Sequence, residues 1–113
     1  MARKPKPSPP PELVERIRGL CLALPHAIEA TSYGNPAFKL GAKPFAVLDH
    51  YQHGFCLWLL CAPSRRDEVL ARPGWFASPY DPKALAVCGR VDEIDWDAAP
   101  ALIADSFRIA GGG

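Results

Sequence analysis

At 113 residues the chain has room for one core, and 49% hydrophobic with 22% charged residues is a globular composition, neither disordered nor membranous. A formal net charge of +1 excludes a global field that draws the protein to nucleic acid or anionic lipid, so such binding needs a local patch. The four cysteines sit in apolar segments as small hydrophobes would, which predicts reduced core thiols in a cytoplasmic protein rather than a disulfide-stapled secreted one.

Residues 1–10 form a tail of proline and basic residues that is expected to be disordered, with residues 11–113 as one domain. Arg3, Lys4 and Lys6 precede prolines instead of an apolar run, so the start does not read as a secretory signal. Leu13, Ile17, Leu20, Cys21 and Leu24 recur at helical spacing and predict a first helix, with Glu12 and Glu15 near its positive end and Pro25 as its stop. Glu29–Ser32 can add an edge strand before the turn signal Gly34-Asn35-Pro36. Ala37–Leu40 then reads as a strand, connected tightly by Gly41-Ala42 to a second over Lys43–Leu48. A polar loop from Asp49 to Gly54 leads to the strand Phe55–Leu60, part of the longest apolar run and far short of the roughly 18–20 residues that span a bilayer. Ser64-Arg65-Arg66-Asp67 has capping-box-like spacing and opens a short helix that Pro73-Gly74 ends. Trp75–Lys83 reads as a loop and Leu85–Cys88 as a last short strand. Asp95 or Asp97 caps a final helix, whose stripe is Ala99, Leu102, Ile103, Ser106, Phe107 and Ala110.

That order predicts a two-layer α+β domain, an antiparallel sheet with the two long helices on one face. Strict alternation puts Phe38, Leu40, Val47, Phe55, Leu57, Leu59, Leu85 and Val87 under the helices. Ala37, Lys39, Ala46, Leu48, Cys56, Trp58, Leu60, Ala86 and Cys88 then share the second face. A solvated antiparallel face should be polar. This one is apolar, so a loop, a subunit or a ligand is expected to cover it and leave Trp58 at least half covered.

The segments Leu22-Ala23-Leu24-Pro25, Thr31–Lys39, Lys43-Pro44-Phe45-Ala46, Trp75–Tyr80 and Asp95–Ala110, taken in this order, resemble the YjbR/MmcQ-like family. The resemblance implies an α-β(5)-α arrangement, related in shape to the double-wing DNA-binding domain and to secretion-chaperone-like folds. It also implies a DNA-binding label, which members carry largely by analogy of fold, and it brings no catalytic residues. Lys83-Ala84-Leu85 departs from the pattern, which has an aromatic near the start of the last strand.

His50 and His53, beside Asp49, are the nearest thing to a metal-ligand spacing, but no further Cys or His joins them, so neither metal nor cofactor is expected. No Gly-x-Ser-x-Gly elbow or phosphate loop is present, and the chain reads as non-enzymatic. Two kinds of binding remain. Lys39, Lys43, Arg65, Arg66, Lys83 and Arg90 could contact DNA, weakly and with strong salt dependence, with Trp58, Trp75 and Tyr80 available for stacking. Alternatively Trp58, Trp75, Phe76 and Tyr80 could line a small-molecule pocket or a homodimer contact. The expectation is a binding protein, nucleic acid first and a small ligand or partner second, acting as a monomer or a homodimer away from membranes.

Overall fold

Two tight turns position the sheet. In the computed structural model, which describes residues 8–51, 54–79, 81, 83 and 85–112, the order is α1 (Pro11–Leu22), β1 (Ala27–Ser32), β2 (Asn35–Leu40), β3 (Lys43–Tyr51), β4 (Gly54–Leu60), α2 (Pro63–Leu70), β5 (Trp75–Ala77), β6 (Ala86–Arg90) and α3 (Ala99–Ala110). Tyr33 and Gly34 join β1 to β2 with φ of 51° and 82°, a primed turn whose twist matches that of the strands. Gly41, at φ 63°, opens the equally short turn that lets Leu40 pair with Lys43. The expected tail falls mostly on residues 1–7, outside the described residues.

The fold is α+β, with an open six-stranded antiparallel sheet in the order β1-β2-β3-β4-β6-β5. Five strands were expected. The sixth is Trp75–Ala77, which the sequence presents as loop because three residues show no periodicity, yet it pairs with β6 through Phe76 and Cys88. One apolar cluster joins Phe38, Phe45, Leu48, Leu57, Leu59 and Val87 of the sheet to Ile17 and Cys21 of α1, Val69 of α2, and Leu102 and Ile103 of α3. Phe45 meets Phe107 of α3 edge to face, with ring centres 5.3 Å apart.

Phe45 is also where strict alternation fails. Phe38 pairs with Ala46 and Lys39 with Pro44, so Phe45 is an extra residue in β3, a β-bulge. Phe45 and Ala46 are both fully buried in the helix-side core. Beyond the bulge the three β3 side chains that the sequence assigns to a face, Ala46, Val47 and Leu48, all change it. Ala46 and Leu48 join the core, and Val47 lies on the second face, where it pairs with Trp58. Leu85 also departs from expectation: it lies ahead of β6, 45% exposed, and its carbonyl accepts a hydrogen bond from the Cys61 amide at 2.9 Å.

The bulge is tied to α3 by Ser106. Its fully buried hydroxyl donates to the Phe45 carbonyl and accepts from the Leu60 amide at 2.9 Å. One side chain thus satisfies two backbone groups that the sheet ladder leaves over. Neither α2 nor α3 uses the expected caps. α2 starts at Pro63, with Ser64 already inside it, and proline suits a first turn because its missing N–H is not needed there. Before α3, the Asp95 carboxylate accepts from the Asp97 amide at 2.9 Å in a turn of its own.

Candidate functional site

On the sheet face away from the helix-packed core, one cross-strand row runs through Ala30, Ala37, Val47, Trp58, Cys88 and Phe76. Ala37, Val47 and Cys88 are buried and Trp58 is half-buried, so this face is not open to water along its length. Asp49, Cys56 and Arg90 form the neighbouring row. Asp49 reaches this face because of the bulge; unbroken alternation would have turned it toward the helices.

Over Trp58 lies an open groove of about 690 Å³. Val47, Trp58 and Pro44 contribute its apolar surface. Ser32, Tyr33 and Asn35 of the first hairpin line it from one side, Ser78 after β5 lines it as well, and Asp49 and His50 add polar groups. The Asn35 amide donates to Asp49 Oδ1 at 3.2 Å, and the His50 backbone N–H donates to the same oxygen at 2.8 Å. Asp49 is half-buried and has no salt bridge among the described residues. Tyr33 is 94% exposed at the hairpin tip. A second, smaller pocket of about 260 Å³ lies between α2 and α3, apolar inside, with Arg65, Asp105 and Arg108 among its lining residues.

The residues singled out in the sequence are dispersed over the molecule. Trp58 lines the groove. Phe76 shares its face but stacks on Tyr51, centres 6.0 Å apart, with the Arg90 guanidinium 5.1 Å over its ring. Trp75 lies on the opposite face, buried in the core beside Gly89, because the pairing of β5 with β6 alternates it with Phe76. Tyr80 and His53 fall outside the described residues. His50 packs edge-on against Phe55, ring centres 5.1 Å apart. Lys39, Lys43, Arg65, Arg66 and Lys83 lie toward one end of the sheet, spread from β2 and the β2–β3 turn across the end of β4 to the approach to β6. Arg90 is at the other end. Arg65 pairs with Asp105 and Glu68, and Arg90 with Glu93 at 3.5 Å. Arg66 donates to the Ala86 carbonyl at 3.5 Å. Lys39, Lys43 and Lys83 form no salt bridge among the described residues.

All four cysteines are free and buried. Burial pushes the Cys21 and Cys88 thiols up to about 12 and raises those of Cys56 and Cys61 as well. Such thiols hold their protons at neutral pH and are poor nucleophiles. Tyr33 and Asn35 carry no site signal in the sequence, and Asp49 enters there only as a neighbour of the His50/His53 spacing. The local marks they do carry are slight: a tyrosine before the glycine of a two-residue hairpin, and an aspartate whose face depends on a bulge.

The profile of the YjbR family matches residues 22–109 of the chain. No curated protein matches it. A crystal structure of a protein from Pseudomonas syringae, solved by a structural genomics consortium, superposes with a TM-score of 0.69 at 12% identity, covering 88% of this chain and 96% of that one. At that identity the likeness is one of fold alone.

Proposed function

The chain belongs to the YjbR family, and we propose that it is a non-enzymatic binding protein whose ligand site is the groove over Trp58. The observation that carries this is a half-buried tryptophan in a groove of about 690 Å³ that also holds hydrogen-bonding groups from the first hairpin, β3 and the segment after β5. An apolar surface with a few convergent polar groups is how small-molecule sites are built. Concavity favours a small ligand over a second subunit, since a flat, dry surface suits an isologous dimer better. The proton-bound, buried thiols support a role without covalent chemistry. We also take the protein to be cytoplasmic, on the support of its four free, buried cysteines. No helix of the described residues is long and apolar enough to cross a membrane.

The test is a ligand-observed NMR screen of small aromatic and heterocyclic fragments on the wild-type protein and on Trp58→Ala, with folding checked by circular dichroism. Hits are expected to lose about tenfold or more in affinity on truncation of the ring, as for a central aromatic contact. A screen without hits that depend on Trp58 would sink the proposal.

A nucleic-acid reading has its own support in Lys39, Lys43 and Lys83, which are free of salt bridges among the described residues and lie toward one end of the sheet. Engagement of Arg65 and Arg90 with carboxylates weakens it. On this reading, labelled DNA binds with an affinity that falls steeply as salt is added, and the Lys39→Ala/Lys43→Ala pair lowers the salt slope by about 2. Fluorescence anisotropy between low and physiological salt decides it; no binding at low salt removes it.

A further inference from the structure

Asp49 is a half-buried carboxylate without a cationic partner among the described residues. Carboxylates drawn out of water are normally paired, because the loss of hydration is otherwise uncompensated. Arg90, in the next cross-strand row position but one, is directed instead to Glu93 and the Phe76 ring. Both hydrogen bonds to Asp49, from Asn35 and from the His50 amide, fall on Oδ1. They fix the carboxylate's orientation and leave its second oxygen with its lone pairs. Asp49 and Trp58 line the same groove, and Tyr33 is exposed at its edge.

We propose that the groove takes a small planar organic cation with N–H donors, such as an amidinium, a guanidinium or a protonated aminoheterocycle; this rests on the groove being the ligand site. Asp49 supplies the counter-charge through a charge-assisted hydrogen bond to its second oxygen, Oδ2. The Trp58 face, electron-rich above its ring, attracts a flat cation laid against it. A neutral ligand without donors would leave the carboxylate dehydrated and unpaired, and an anion would be repelled by it. A phosphate backbone is excluded from the groove by the same charge.

Isothermal titration with three isosteric probes tests the assignment: benzamidine (cationic), benzamide (neutral) and benzoate (anionic). On the wild-type protein benzamidine is expected to bind about tenfold tighter than benzamide, with benzoate not competing. This comparison needs no variant to fold. Asp49→Asn, nearly isosteric, is expected to erase the preference for benzamidine over benzamide, while Trp58→Phe weakens both. Equal binding of benzamidine and benzamide that depends on Trp58 overturns the cation and leaves the groove as the ligand site. Binding of none of the three overturns the cation as well, and the fragment screen above then decides separately whether the groove binds anything.

Discussion

Ser106→Ala is expected to lower the stability of the protein by about 2–4 kcal/mol. The hydroxyl lies at zero exposure, donates to the Phe45 carbonyl and accepts from the Leu60 amide, so its removal strands two buried backbone groups at once. Each such group costs on the order of 1–3 kcal/mol when nothing replaces its partner. The methyl group left behind fills most of the same space, so the loss is one of hydrogen bonding and not of packing. In a chain of this length the melting temperature should fall by roughly 10–20 °C. The denaturant m-value should stay as it is, because the surface exposed on unfolding hardly changes. Ser106→Cys, which keeps the shape with a weak donor and acceptor, should fall between the two. A melting temperature for Ser106→Ala within about 3 °C of wild type would show that water takes over both bonds.

Gly89→Ala is the second change with a large expected cost, about 1–3 kcal/mol from overpacking. A β-carbon at this position would stand 2.8 Å from Ile94 Cγ2 and 2.9 Å from the outer edge of the Trp75 ring. Both neighbours are buried, so neither can swing into solvent. The prediction has an internal control in Trp75→Phe, which withdraws the ring edge that the new methyl group would strike. The double variant should lose less than the sum of the single ones, by a coupling of about 1 kcal/mol or more in a double-mutant cycle read by urea unfolding. Strict additivity would place the strain elsewhere.

Much of this architecture is legible in the sequence because it is local. The stripe from Leu13 to Leu24 is α1 except for Leu24, which lies past the helix end at Leu22, the stripe from Ala99 to Ala110 is α3, and the short connections at Gly34 and Gly41 are hairpin turns. What the sequence hides depends on a single residue. From Lys43 onward, period-two alternation assigns Val47 to the helix side, the polar run from Asp49 reads as loop although β3 continues to Tyr51, and nothing in Pro44-Phe45-Ala46 announces that Phe45 is an extra residue. The bulge is settled by tertiary contacts, namely the Phe107 ring against Phe45 and the Ser106 hydroxyl on its carbonyl. That bulge also turns Asp49 to the face of Trp58, so the side taken by this carboxylate depends on the same tertiary contacts as the strand phase. Trp58 was readable because β4 is regular and alternates without interruption. Trp75 reads as loop in the sequence, since a three-residue strand leaves no pattern to show which side its first residue takes.

The hairpin tip has a meaning in evolutionary terms. Tyr33 sits in left-handed backbone at φ 51°, where a side chain with a β-carbon gives up on the order of 1 kcal/mol relative to glycine, and the residue, 94% exposed, buries little surface in return. Selection for stability alone would exchange it for glycine or asparagine. Positions 89 and 106 are constrained by the packing of the core whatever the groove meets, whereas 33 and 49 lie at the groove and outside that core. On the proposed reading, substitutions at the hairpin tip and beside the bulge should alter what the groove accepts, while substitutions in the core alter stability alone.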